Sequence, residues 1–590
     1  MSSLAPCSRR LRARILAPCL VVAVALGVVP SQAAAAPPAG FEAAAAKEVF
    51  HSGAHAATAA RLPLGGPRVA GASAARVGAD LRALAARTEP AHVLVSARSH
   101  DDVPALAAEA RRLGTGVEVV HSLGVIAVRA ASPAALVAAL GRDPRVAAIE
   151  PDRSFHISAD SADSIDPSTG IPFGWAFDAV RAGPALAAVG GGSSKVVAVI
   201  DSGVDVNHPD VGPQVAATFN STDGSDDATD GVGHGTFVSG LVSMTNDNGV
   251  GGRGVAGRTR IFGIRADDGA GSFSTRSLLV AKDVAIRSGA DILNMSLGGG
   301  NISEGESRAL EFAFLSDVLP VAASGNGAQS GNQVEFPAAA VGGPRGQVGI
   351  GLSVGAVRPD LRPTDFSTHN AFVSVAAPGG GTRGCDDGVF SAVPGNPNLI
   401  FDAGDPCAPV FQAGFGGGRY GYSEGTSFAT PIASGVAALA WQAQPRLASE
   451  QVADVVQRSA RQTFGGPGWN EFTGAGVVDA QAAVDAARRY DVLAPRFRTR
   501  VRSSGRRHRV EIFSGRDRAD SGDRRAGGVQ YALAERFRNG RLNFIVDPTR
   551  RRVKRTIRRR SGREYLAIAC DANGNCASRR LRFPRARARR

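Results

Sequence analysis

The sequence predicts an α/β protein: a mostly parallel sheet with helices on both faces, preceded by a small β-α-β-β-α-β domain and followed by a small β domain. Three observations carry this. Between residues 168 and 488, short apolar runs without polar alternation take turns with stretches of helical periodicity. That is the pattern of parallel strands buried on both faces. Between 89 and 156 the apolar periods follow the order strand, helix, strand, strand, helix, strand. From 491 to 590 short strand-like runs are separated by polar turns.

Taken in order, residues 1–33 read as an export signal. Arg9, Arg10, Arg12 and Arg14 precede an apolar run from Ile15 to Val29, and Ser31-Gln32-Ala33 offers a cleavage site. The run is short for a membrane span. Cys19 lies early in it, after a proline, which argues against a lipid anchor. Residues 34–88, rich in Ala and Gly, read as a linker. In 89–156 strands are expected at Val93–Val95, Val117–Val120, Val125–Val128 and Val146–Ile149, with helices at Val103–Leu113 and Pro133–Leu140, a ferredoxin-like order. Asp152 to Ser168 is polar and aperiodic, and reads as an exposed, cleavable connection.

The large domain carries buried-strand runs at Val196–Ile200, Ile261–Ile264, Ile292–Met295, Val318–Ala322 and Ile350–Val354. Helical stretches include Leu278–Arg287 and Arg308–Leu315. In such a sheet, functional residues gather beyond the C-terminal strand ends. Asp201 directly follows one of these runs. His234 lies in Gly233-His234-Gly235-Thr236, ahead of an apolar helix from Thr236 to Met244. Gly425-Thr426-Ser427-Phe428-Ala429-Thr430-Pro431 reads as a tight turn opening a buried helix, with Pro431 in its first turn. Singly, these are a turn-capping aspartate, a helix-start histidine and an N-cap serine. Together they are the residue types of an acid–base–nucleophile triad. A serine hydroxyl needs an imidazole, of pKa near ~6.5, to take its proton, and the imidazole needs a carboxylate to fix its tautomer.

At these residues the chain resembles the subtilisin-like serine peptidases (subtilases). Val199-Ile200-Asp201-Ser202-Gly203-Val204 resembles the family's aspartate motif, His234 and its neighbours the histidine motif, and Gly425–Pro431 the serine motif, in the order Asp, His, Ser. Asn294-Met295-Ser296-Leu297-Gly298-Gly299 resembles the substrate-binding strand, and Ala323-Ser324-Gly325-Asn326 the segment with the oxyanion asparagine. The resemblance spans roughly residues 168–486. It implies Ser427 as nucleophile, His234 as general base and Asp201 as its orienting partner. Asn326 and the Ser427 N–H would form the oxyanion hole, and Ser296, Leu297 and Gly298 would align an extended peptide. It also implies that 89–156 is an inhibitory propeptide removed by the enzyme itself, with the mature chain starting between about Ile157 and Ser168. The activity implied is that of a secreted serine endopeptidase acting on protein or peptide substrates, with no cofactor needed for the chemistry.

The remaining features are less tied to chemistry. The 590-residue chain has net charge +14, held by its last hundred residues: 491–590 carry 30 Lys and Arg against 9 Asp and Glu, the rest 37 against 44. Runs such as Arg550–Arg560 read as a solubilising surface or as contact with an anionic cell envelope. No stacking pattern points to a specific nucleic acid. After the signal four cysteines remain, read most simply as disulfides Cys385–Cys407 and Cys570–Cys576, one of three connectivities, with metal binding as the alternative. Residues 380–422 form a Gly-rich insertion, a candidate specificity loop. Asp223, Asp226, Asp227 and Asp230 precede His234 and read as solvated charge before calcium ligands. Asp210 with Asn248 resembles the family's calcium loop, a candidate structural Ca²⁺ site. The rival classes are a catalytically silent binding protein that kept the fold, and an adhesin acting through its basic tail.

Overall fold

The computed structural model describes residues 84–87, 89–152, 154–157, 174–246, 248, 251–381, 387–401 and 418–490, and in the C-terminal part 496–504, 507–516, 530–536, 542–549, 553–558, 564–570, 576–581 and 583. The export signal, most of the linker and the stretch from 158 to 173 lie outside these residues. Among the described residues no helix is long and apolar enough to cross a membrane.

The first domain is a four-stranded antiparallel sheet ordered β2-β3-β1-β4, from β1 (Ala91–Ala97), β2 (Gly114–Val120), β3 (Val125–Ala130) and β4 (Val146–Pro151). Helices α1 (Val103–Leu113) and α2 (Pro133–Leu140) have the expected limits, each set by a proline at its start and a glycine at its end. Leu84 is buried in the core with Val93, Leu106 and Leu136, so this domain begins inside the stretch read as linker. Residues Ser154–Ile157 depart from expectation. Instead of an exposed connection they form a strand, β5, in the middle of a three-stranded sheet.

The large domain holds a seven-stranded sheet ordered β14-β13-β12-β10-β6-β8-β7. Its strands are β6 (Val196–Asp201), β7 (Val215–Asn220), β8 (Arg260–Arg265), β10 (Ile292–Met295), β12 (Leu319–Ala323), β13 (Leu352–Val357) and β14 (Val375–Pro378). Every pairing is parallel. Strand β7 gave no buried run because its first four residues are only half-buried. Val196, Ala198, Ile200, Leu293 and Met295 turn one way, onto α4 (Thr275–Arg287) and α5 (Glu304–Leu315). Asn294, with the opposite pleat, meets Ser434 on α6 (Thr426–Ala443). Helix α6 and α3 (His234–Ser243) pack together on that second face. Two short strands, β9 (Ser272–Ser274) and β11 (Leu297–Gly298), flank β5.

The first domain sits on α4 and α5. Its Leu94, Val120, Leu123 and Val125 join the apolar cluster containing Leu278 and Leu310. The buried Glu150 accepts the N–H of Glu304, the first residue of α5, with both carboxylate oxygens at 2.9 Å. Arg308 Nη1 donates to the Ala97 carbonyl at 3.0 Å.

The C-terminal unit has two antiparallel sheets, β17-β18-β21 and β20-β19-β22-β23, with β17 (Arg496–Ser504), β18 (Arg507–Arg516), β19 (Gln530–Arg536), β20 (Leu542–Thr549), β21 (Val553–Arg558), β22 (Glu564–Cys570) and β23 (Cys576–Arg580). Val510, Ile512 and Val553 of one sheet share a core with Leu533, Tyr565 and Ala567 of the other.

Candidate active site

Asp201 is the last residue of β6, fully buried at the C-terminal edge of the sheet. Its Oδ1 accepts the N–H of Ser202 at 2.7 Å and lies 2.8 Å from His234 Nδ1. An ionised carboxylate there places the imidazole proton on Nδ1 and leaves a lone pair on Nε2. His234 opens α3, which approaches the β6 turn so closely that a methyl group on Gly235 would strike the Gly203 carbonyl. The Phe428 ring lies 5.2 Å from the imidazole, and His234 Nε2 is buried without a hydrogen-bond partner among the described residues.

Ser427 is the second residue of α6, delivered by Gly425 at φ 149°, a conformation that strains any other residue. Its hydroxyl donates to the Ser296 carbonyl at 3.1 Å. Catalytic hydrogen bonds are commonly loose before substrate arrives. Asn326 Oδ1 accepts from the Thr426 N–H at 3.0 Å and the Thr426 hydroxyl at 2.8 Å. Anchoring the oxygen end determines which end of the amide is left to donate. Leu297 and Gly298 form a short strand, with Ser296 just before it, and β5 lies antiparallel on it, Leu297 opposite Ile157 and Gly298 opposite His156.

Pro431 is not in the first turn of α6 but six residues into it. A proline there cannot donate to the carbonyl four residues back, which is that of Ser427. That carbonyl instead accepts from Ser296 Oγ at 2.6 Å. Ser296 Oγ accepts from Asn294 Nδ2 at 3.0 Å, and Asn294 Oδ1 from the Ser434 hydroxyl at 2.9 Å. The break in the helix ladder is thus closed by the strand that precedes the substrate edge.

Of the four aspartates before His234, Asp223, Asp226 and Asp227 are exposed, whereas Asp230 is fully buried. It is neither solvated nor presented to a cation. Its Oδ1 accepts from the Ser202 hydroxyl (2.8 Å), Val232 N–H (3.1 Å) and Gly233 N–H (2.7 Å). Its Oδ2 accepts from the Thr236 N–H (2.8 Å) and hydroxyl (2.7 Å). One carboxylate therefore ties the turn after Asp201 to both sides of His234. No local feature of the sequence set it apart from its exposed neighbours.

The 380–422 insertion is described in part. Its β15 (Val389–Val393) and β16 (Arg419–Ser423) form a hairpin-like pair packed on α3. Phe401 stacks on Phe237 at 5.3 Å, and Ile400 N–H donates to the Val232 carbonyl. The described part thus backs the histidine segment.

Asp210 and Asn248 meet each other away from the triad. Asp210 Oδ1 accepts from Asn248 Nδ2 (2.8 Å) and Thr245 N–H (3.1 Å), and Oδ2 from Gly252 N–H (3.2 Å). Burial pushes this carboxyl above its usual range. Calcium requires six to eight oxygens. Asp210 and Asn248 bring side-chain oxygens from two segments together, while 247, 249 and 250 beside them lie outside the described residues. Among the described residues no three His, Cys, Asp or Glu side chains converge on a point a metal could occupy. Cys385 and Cys407 lie outside the described residues, and the backbone register sets Cys570 opposite Cys576.

The chain matches the model of the Subtilase family over residues 192–476. It is 31% identical to subtilisin E of Bacillus subtilis over 347 residues, 58% of this chain and 77% of that protein. It is likewise 31% identical to a subtilisin of Bacillus pumilus over 316 residues, 53% of this chain and 98% of that protein. Among solved structures, fervidolysin from Fervidobacterium pennivorans, a keratinolytic enzyme related to subtilisin, has the same fold, with TM-score 0.55 and 19% identity over 84% of this chain and 90% of that chain.

Proposed function

From the premise that this chain belongs to the subtilase family and is a serine endopeptidase, we propose that it acts through Asp201, His234 and Ser427. Ser427 Oγ attacks the peptide carbonyl while His234 Nε2 takes its proton. Asp201 stabilises the imidazolium, and the same proton then passes to the leaving amine. Asn326 Nδ2 and the Ser427 N–H hold the oxyanion, where charge appears only in the transition state. Water resolves the acyl-enzyme by the same path. The observation that carries this reading is the buried Asp201–His234 pair, 2.8 Å apart, with Nε2 left without a hydrogen-bond partner among the described residues, beside the serine helix.

The enzyme is exported and made as a zymogen, with 89–156 as its propeptide. Support comes from β5, which lies on Leu297–Gly298 as an extended substrate would. The chemistry draws on side-chain and main-chain groups of the enzyme, with no cofactor. The basic C-terminal domain presents a solubilising surface, with contact to anionic cell-envelope polymers as the second reading; Cys385–Cys407 is the insertion's disulfide and Cys570–Cys576 that of the C-terminal domain. The test is the size and N-terminal sequence of secreted wild type beside Ser427→Ala. Wild type should lose its first ~160 residues, signal through propeptide, while the variant stays longer. Identical maturation of both would remove the autocatalytic step.

A further inference from the structure

The Glu335 side chain lies where a substrate side chain would have to go. A peptide held in the register of β5 pairs with Gly298, then Leu297, and at the next step stands opposite Ser296. Ser296 is the residue whose carbonyl accepts the Ser427 hydroxyl. The residue opposite Ser296 therefore precedes the scissile bond. Its side chain must enter the gap between the main chains of 296–298 and 323–326.

That gap is walled by glycines and filled by a carboxylate. A methyl group built on Gly298 would collide with Glu335 Oε2, and one on Gly325 with Glu335 Oε1, so the carboxylate spans the two walls. Glu335 is held there by its backbone. Phe336, next in sequence, exchanges two hydrogen bonds with Gly299, at 2.8 and 2.9 Å, and the Glu335 carbonyl accepts the Ala339 N–H at 3.0 Å. Burial pushes the Glu335 carboxyl up to about 7, as expected of an acid wedged between two stretches of main chain with no cation beside it among the described residues.

We propose that Glu335 is a specificity-determining residue that shortens this pocket, so that the enzyme selects peptides with alanine or serine before the scissile bond. The proposal rests on the peptidase reading above. The chain's own sequence agrees: after Ile157 it continues Ser158-Ala159-Asp160-Ser161-Ala162, without a large or basic side chain. A charge-selecting pocket would call for Lys or Arg at this point, and residues 154–180 contain neither.

The test uses the secreted enzyme with peptide substrates differing only before the scissile bond: Ala, Ser, Phe, Leu, Lys or Arg. Wild type should cleave Ala and Ser at least about tenfold more efficiently than Phe or Leu, the discrimination that pocket volume affords. Glu335→Gly should raise the Phe-to-Ala ratio of kcat/KM about tenfold or more. Glu335→Gln, which keeps the shape and removes the charge, should leave that ratio low. A wild-type preference for Phe or Leu, or a ratio unmoved by Glu335→Gly, overturns the proposal. So does a preference for Lys or Arg that Glu335→Gln abolishes, which would make Glu335 an ion-pair acceptor. A serine-reactive fluorophosphonate keeps the two readings apart: no labelling and no cleavage of any peptide would sink the peptidase reading itself.

Discussion

Replacing Asp230 should disable the enzyme without touching a reacting atom. The buried carboxylate accepts five hydrogen bonds, three from main-chain N–H groups and two from hydroxyls. Asp230→Ala leaves the three N–H groups without an acceptor, and a buried donor so stranded costs about 1–3 kcal/mol. The hydroxyls can rotate and some water will enter, so the loss should be about 3–5 kcal/mol, the range for breaking a buried charged network. Asp230→Asn preserves the shape, yet its NH₂ must face three donors on one side or two on the other. About 2–3 kcal/mol should go. Urea denaturation in a Ser427→Ala background measures this without self-digestion. In the active enzyme kcat should fall well before KM changes, because the loosened residues flank His234 and not the substrate edge. The exposed Asp227→Asn is the control and should stay within about 0.5 kcal/mol. If Asp230→Asn matched that control in both stability and kcat, the carboxylate would not be what holds the histidine.

Two further outcomes are expected. Ser296→Ala removes the donor to the Ser427 carbonyl, so stability should drop by about 1–3 kcal/mol and kcat with it, and adding Pro431→Ala, which supplies an N–H four residues beyond that carbonyl, should recover part of the stability; urea midpoints and steady-state kinetics check both. Glu450 is pushed up to about 7, first by burial and then by Asp317 and Asp454. A carboxyl raised in the folded state binds its proton more tightly there than when unfolded, so stability falls as pH rises from about 4.5 to 7 and stays lower above. Glu450→Gln should flatten that fall in a melting-temperature series across this range.

How much could be read beforehand follows from what each residue does. The buried parallel strands were legible because both faces are apolar, and α1 and α2 because proline and glycine punctuate them. Asp201, His234 and Ser427 stood out through their glycine-rich surroundings. Pro431 misled because a proline rule assumes the helix must satisfy its own carbonyls, and the donor here comes from a strand 135 positions earlier, Ser296. Asp230 looked like its three solvated neighbours, since nothing local tells a buried carboxylate from an exposed one. β5 carries no strand pattern of its own because its partners, β9 and β11, lie over a hundred residues away. Glu335 was invisible for the same reason: its meaning lies in two glycines on other elements.

The interrupted ladder of α6 has a mechanical consequence. A helix with a missing bond is a natural joint, and here the joint falls at Ser427, the proposed nucleophile. Because the freed carbonyl is pinned to Ser296, whose own carbonyl receives the serine hydroxyl, the two elements are laced in both directions. A shift of the helix would strain both bonds unless Ser296 moved with it. What the lacing preserves is the spacing between attacker and target, whatever the wider frame does.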